Sequence, residues 1–382
     1  MSNVRIPRVL FLDDKEDVVR DAVRVAFSDQ KVETRLLHPE SVEQGDLDWA
    51  DLVISDYFLE VWTERDEQIS VSRKPVDGLA VIASLRSNRL PTFDQRRSGA
   101  LPERPLAFAL WSAHLPQVAF DLPDFVLPHV FSRENNLEWA FKRNDLLAVR
   151  GLAQVCSLAG AVVELASMTP VAGREVEDLM QMLALQSGAV WSDQARESVL
   201  SCRPPIHELG PRTRGLSIVR WLMHRILPYP CFLMNETELR ARLRVDELGS
   251  EASELAIELA EFRYTGLLAD FSEPLWWRVA VESWLWDLGG TSQTSASGIA
   301  AVSVAKGAQR KNEWINPVPV INASLERTSF LCEIGDVVRV RPDDWPVFAE
   351  DAYAALEDVK ADPALQSIVH PGDRGRLDSR LS

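Results

Sequence analysis

Residues 8–14, RVLFLDD, run apolar for four positions after the arginine and end in two adjacent carboxylates. A β-branched and aromatic run of that length predicts a buried strand. DVVRDAVRVAF follows, with Val19, Val23 and Phe27 at four-residue spacing, the stripe of an amphipathic helix. The alternation continues. VETRLL reads as a strand, residues 40–43 as a short polar helix, and ADLVISD as a wholly apolar strand. VDGLAVIASLR reads as a helix with Leu79, Ile82 and Leu85 on one stripe. PLAFALWSA and HVFSR are two further apolar runs and predict the fourth and fifth strands, after which LEWAFKR starts a final helix. Strands buried on both faces and alternating with helices predict a doubly wound α/β domain around a five-stranded parallel sheet.

In such sheets the chemistry gathers beyond the carboxyl ends of the strands. Three strands end there in Asp13 and Asp14, in Asp56, and in Ser112. Neighbouring carboxylates repel, and a hard divalent cation with oxygen ligands relieves the repulsion. Mg²⁺ suits such a place because it accepts one or two carboxylates together with water and a phosphate. An acidic strand end taken alone has a plainer reading, as the cap of the next helix. The conjunction is more specific: a second strand ending in Asp, a helix opened by Asp-Gly, then a strand ending in Ser-Ala.

On these residues the chain resembles, over residues 6–147, the receiver domain of two-component response regulators. The likeness is carried by Asp13 and Asp14, ADLVISD with Asp56, PVDGLAVIASLR, WSAH with Ser112, and HVFSR. The resemblance implies phosphoryl transfer from a histidine kinase or phosphotransfer protein onto Asp56. It implies Mg²⁺ held by Asp14, Asp56 and the main-chain carbonyl of Phe58, with Asp13 holding a metal-bound water. Ser112 matches the hydroxyl that moves to bind the phosphoryl group. The family's lysine, followed by proline, belongs at the end of the last strand. With HVFSR as that strand, its place falls on Arg133, 21 residues after Ser112, and the aromatic switch position falls on Val130, beside Phe131. Arginine is planar and bulkier than a compact ammonium, so the exchange is not neutral. Two insertions also depart from the pattern. VWTERDEQISVSRK lies on the site's edge, where it would form a lid, and SNRLPTFDQRRSGALPERP lies on the opposite edge. Between them and the last strand, PQVAFDLPDF leaves room for only a short, proline-broken fourth helix.

Beyond residue 147 the pattern is mainly helical. The reading divides the chain into a receiver-like domain (1–147), a helical domain (148–290), and a linker with a small α+β segment (291–382). GLAQVCSLAGAVV is too short for the ~20 apolar residues of a membrane span and predicts a close-packed buried helix. SIVRWLMHRIL, ETELRARLRV capped by Asn235, and EASELAIELAEF capped by Ser250 predict three helices. YTGLLADF and LWWRVAV then read as a hairpin. Three helices and a hairpin resemble a winged helix-turn-helix. Trp276, Trp277, Trp284 and Trp286 offer either a core or a partner-binding surface. TSQTSASGIAAVSVAKGAQRKN reads as a linker, FLCEIG and DVVRVRP as paired strands, DDWPVFAEDAYAALEDVK as a helix, and HPGDRGRLDSRLS as a tail.

Composition narrows the function. Fifty-seven acidic against 41 basic residues give a net charge of −16, a field that repels nucleic acid and anionic membranes unless basic residues cluster. EASELAIELAEF, the helix that would read DNA, carries four glutamates and no basic residue. Cys156, Cys202, Cys231 and Cys332 are scattered, which fits a reducing compartment and neither a zinc site nor a disulfide framework. The expectation is a cytoplasmic signalling protein whose phosphorylated receiver, able to homodimerise, drives a protein effector partner, with no membrane and no enzyme activity beyond its own phosphotransfer. The alternatives are a pseudo-receiver adaptor or decoy, and a DNA-binding transcriptional regulator.

Overall fold

The computed structural model describes residues 5–59, 77–89, 104–118, 122–123, 125–168, 173–209, 215–289, 296–342 and 345–378. The chain divides into two compact units, Met1–Leu179 with Pro205–Met223, and Met180–Pro204 with His224–Ser382.

The first unit is built on the expected sheet. Strands β1 (Arg8–Leu12), β2 (Glu33–Leu37), β3 (Leu52–Asp56), β4 (Ala107–Ser112) and β5 (Trp139–Lys142) lie in the order β2-β1-β3-β4-β5. All four pairings are parallel. This is the doubly wound order in which the crossover between β1 and β3 opens a crevice at the strands' carboxyl ends. Helices α1 (Glu16–Ala26), α2 (Gln44–Trp49), α3 (Gly78–Arg89), α4 (Leu127–Glu134) and α5 (Val149–Ser167) connect and cover the strands. Val19 and Val23 are the buried face of α1, as their spacing predicts. The central strands are buried throughout: every residue of β3 and β4 is buried. Phe11 and Trp111 pack at 5.5 Å between ring centroids, inside the sheet layer.

The fifth strand is not HVFSR. Residues 129–133 lie within α4, where Leu127 and Phe131, four apart, are its buried apolar pair and Pro128 stands in the first turn. The strand is instead WAFK, inside the segment predicted to begin a helix. Short apolar runs do not carry enough period to separate strand from helix. The long apolar segment is the 19-residue α5, with Leu152, Val155, Leu158, Ala159 and Val162 buried. By length and composition α5 could cross a membrane, yet half of its apolar window is buried within the protein. The lid insertion falls outside the described residues, as does residues 90–103 of the second insertion. Of PQVAFDLPDF, the described part joins a four-residue helical turn, Leu115–Val118.

A buried carboxylate pins the start of β5. Glu138, fully buried, accepts the N–H of Phe108 and two N–H groups of Arg220, and Arg86 stands 3.6 Å away. Arg220 lies on the helix Leu216–Trp221, far along the chain but within this unit.

In the second unit β6 (Leu233–Asn235) pairs antiparallel with β7 (Leu275–Trp277). Between them run the helices Glu236–Leu243 and Glu254–Ala260. Asn235 caps the first in a capping box with Glu238, as expected. Ser253, not Ser250, caps the second, because residues 251 and 252 turn before the helix begins. The predicted hairpin shrinks to one bridge, Arg263 with Trp276, since 267–271 forms a turn and Arg278 already starts the helix Arg278–Gly289. Trp276 and Trp277 are buried, Trp284 packs against the same core, and Trp286 is 64% exposed.

A four-stranded sheet follows, from β8 (Pro317–Ile321), β9 (Arg327–Glu333), β10 (Val337–Val340) and β11 (Ala352–Ala355), in the order β10-β11-β8-β9. FLCEIG and DVVRVRP do supply strands, but on opposite edges rather than paired. The predicted helix over residues 343–360 contains β11 and only then the short helix Leu356–Ala361, because Ala-Tyr-Ala-Ala alternates buried and half-buried positions. Part of the expected linker is the helix Ala296–Ala305. The expected tail is tied down: Asp373 accepts three N–H groups of Arg339, which holds its carboxyl down at about 2.

Candidate functional site

The carboxyl end of the sheet brings Asp13, Asp14 and Asp56 together. One carboxylate oxygen from each lies within 4.8 Å of the others, and all three residues are buried. The cause is topological: β1 and β3 are adjacent, in a register that pairs Leu12 with Ser55, so the residues that follow leave the sheet side by side. Asp13 accepts the N–H of Lys15 at 2.7 Å, and Asp56 accepts the N–H of Tyr57 at 2.9 Å. Three carboxylates at this spacing, drawn from the ends of two strands, form a donor set that fits a small hard cation.

Burial, then the neighbouring Asp13 charge, raise Asp56 from its usual 3.8 to about 7, against the lowering pull of Arg143. Burial also raises Asp13, against its hydrogen bond from Lys15 and the charge of Arg143. Without a cation the cluster therefore tends to take up a proton.

Helix α3 abuts the acceptor strand without a side chain between. A Cβ on Gly78 would stand 2.0 Å from the carbonyl oxygen of Asp56. The Gly78 N–H donates to the Tyr57 carbonyl at 2.9 Å, Phe58 bridges to Asp77, and Asp77 accepts the Ala80 N–H at 2.8 Å. Phe58, the expected source of a main-chain ligand, thus sits in a fixed backbone turn two residues beyond Asp56. Ser112 is fully buried at the end of β4, one place beyond the residue paired with Asp56, and its Oγ accepts the His114 N–H at 3.0 Å.

The predicted cation is displaced. Arg133 lies on α4 with its side chain 56% exposed, paired with Glu134 at 3.6 Å, and takes no part in the site. The end of the true β5 supplies two adjacent cations, Lys142 and Arg143, and the second reaches the carboxylates. Lys142 is in register with Ser112, so it occupies the strand-end lysine position of the receiver pattern. Arg143 follows where the pattern has proline. Its guanidinium lies 3.4 Å from Asp13, 3.6 Å from Asp56, and 4.8 Å from the centre of the Trp111 ring. Three residues before Lys142 stands Trp139, so the aromatic position moves from Val130 to a buried tryptophan stacked edge-on against His129 at 4.9 Å. The missed signal was a second short apolar run, WAF, ending in two adjacent cations.

No protein-family model and no curated protein matches the chain. Among solved structures it is similar to NtrX from Brucella abortus in complex with ATP, at 22% identity and a TM-score of 0.27. That likeness covers 52% of this chain and 35% of NtrX, so the chain spans about a third of that protein's length. It is also similar to the response regulator RcsB of Salmonella typhimurium, at 11% identity and a TM-score of 0.24, over 56% of this chain and 91% of RcsB. The response regulator ChrA of a heme-sensing two-component system matches at 14% identity and a TM-score of 0.23, over 59% of this chain and all of ChrA. At these scores the likenesses add nothing to what strand order and site already establish. The five-stranded parallel sheet of the first unit fits a receiver domain, and its acidic cluster lies at the carboxyl ends of β1 and β3.

Proposed function

We propose that the chain is a response-regulator-like signalling protein whose first unit accepts a phosphoryl group on Asp56 with Mg²⁺. The observation that carries this reading is the meeting of three buried carboxylates at one strand edge, beside a strand-end hydroxyl and two strand-end cations. Asp13, Asp14, Asp56 and the Phe58 carbonyl would hold the ion, which would offset charge on the phosphoryl oxygens and keep Asp56 ionised. A carboxylate oxygen of Asp56 attacks phosphorus in line, the bond to the donor's imidazole breaks, and the leaving nitrogen keeps the electron pair. In this reading Lys142, Arg143 and Ser112 would take the new phosphoryl oxygens. The donor in this reading is a histidine kinase or phosphotransfer protein, in the cytoplasm.

The output is read as protein contact rather than DNA. The helix Glu254–Ala260 presents Glu254 and Glu258, both engaged by Lys306. Arg240 donates to the carbonyls of Asp246 and Ser329, and Arg242 pairs with Glu282 at 3.2 Å, so these cations are already committed. Arg143 against two of the three carboxylates favours a second reading, a pseudo-receiver whose site is neutralised from within and which binds partners without phosphorylation.

Incubation with Mg²⁺ and acetyl phosphate, followed by intact mass, separates the two. A gain of one phosphoryl group, absent in Asp56→Asn, is the expected result; no gain at any Mg²⁺ concentration overturns the first reading in favour of the second. Salt-dependent binding of the full chain to duplex DNA would overturn the protein-contact output.

A further inference from the structure

The second unit contains a cavity of about 490 Å³, within the size range of small-molecule sites. One side of it is apolar, formed by the β8 residues Val318 and Val320 together with Leu285 and Ile299. Trp286, 64% exposed, stands in the same lining, although the other tryptophans of its segment are packed inward.

Four acids and four arginines line this cavity, so its charges balance in number but not in pairing. Each acid already has a cation. Glu238, buried, pairs with Arg278 at 3.2 Å and Arg327 at 2.6 Å; Glu350 pairs with Arg278 at 3.0 Å. Glu282 pairs with Arg242 at 3.2 Å, and Asp351 with Arg341 at 3.0 Å. Burial pushes Glu238 up, but Arg327 and Arg278 more than offset this and hold it ionised. Arg244 is the fourth arginine of the lining, and it forms no ion pair within 4 Å among the described residues. One of its guanidinium nitrogens is buried without a hydrogen-bond partner. Glu333, the acid whose charge it feels most, is occupied by the N–H groups of Ile315 and Asn316, at 2.7 and 2.9 Å. Beside an apolar wall, Arg244 thus keeps a buried guanidinium nitrogen with hydrogen-bonding capacity to spare.

We propose that this cavity binds a small molecule with one carboxylate on a flat apolar body, the carboxylate meeting Arg244 and the body lying between Trp286 and the β8 wall. A guanidinium and a carboxylate form charge-assisted, often bidentate hydrogen bonds, among the strongest in proteins, and an apolar pocket with few polar anchors is how such ligands are oriented. This inference is independent of the phosphoryl site.

Isothermal titration of the full chain with 2-naphthoate, against its neutral isostere 2-naphthamide, tests it. The acid is expected to bind roughly tenfold or more tighter than the amide. Arg244→Gln should erase that difference, and Trp286→Ala, at an exposed position, should weaken both ligands while leaving the preference. Equal binding of acid and amide, or no binding at millimolar concentration, overturns the proposal. If Arg244→Gln fails to fold, the acid–amide comparison on the unaltered chain decides alone.

Discussion

Arg143 lies against Asp13 and Asp56 at once, 3.4 Å from the first carboxylate and 3.6 Å from the second, with its face over Trp111. It is a tethered cation held where a metal's charge would act. A divalent ion binding the same carboxylates must work against it. Arg143→Ala should therefore raise the affinity for Mg²⁺ about tenfold, from the loss of one like charge at short range. Titration with Mn²⁺ followed by paramagnetic resonance, then displacement of the Mn²⁺ by Mg²⁺, measures this. An unchanged or weaker affinity would show that Arg143 assists the ion instead.

The raised pKa of Asp56 has a consequence for stability. Its folded value of about 7 exceeds the usual 3.8, so the folded state holds a proton that the unfolded chain has released. That contribution is complete below about pH 4 and is lost as pH rises through 7, at a cost of a few kcal/mol by pH 8. Urea unfolding of metal-free protein between pH 4 and 8 should show the fall, and Asp56→Asn should flatten it. Saturating Mg²⁺ should do the same by favouring the carboxylate.

Gly78→Ala should be among the most damaging single changes in the first unit. The added methyl would meet the Asp56 carbonyl oxygen at 2.0 Å, and that neighbour is backbone rather than the end of a flexible side chain that could yield. A loss of about 3 kcal/mol is expected, from displacement of α3 or of the strand end. Chemical denaturation measures the first effect, and a drop in Mn²⁺ affinity would report the second.

Glu138→Ala should cost a similar amount, about 3 kcal/mol, because it leaves Arg220 and Arg86 without their shared acid and the Phe108 N–H without its acceptor. Glu138→Gln keeps an acceptor oxygen and should recover part of the loss. Equal stability of all three proteins would mean that water replaces the carboxylate freely.

Much of the first unit was legible because β1, β3 and β4 are almost wholly apolar and the first two lead into carboxylates. The acid cluster followed from RVLFLDD and ADLVISD alone, and adjacency of β1 and β3 does the rest. The last strand was not legible: HVFSR and WAFK are both short, both partly apolar and both followed by charge. What decides between them is tertiary. WAFK completes the sheet against β4, whereas Leu127 and Phe131 need only one buried helical face. The misplacement carried Arg133 and Val130 with it, in place of Lys142, Arg143 and Trp139. In the second unit Ala352–Ala355 is a strand despite its helix-forming alanines, because it lies between two partners, and pairing overrides local propensity.

The missing side chain at position 78 makes the joint between acceptor strand and helix incompressible. Peptide touches peptide there, with no rotamer able to absorb a displacement. The main chain of Asp56 thus meets the first turn of the twelve-residue α3 directly, with no side chain standing between them.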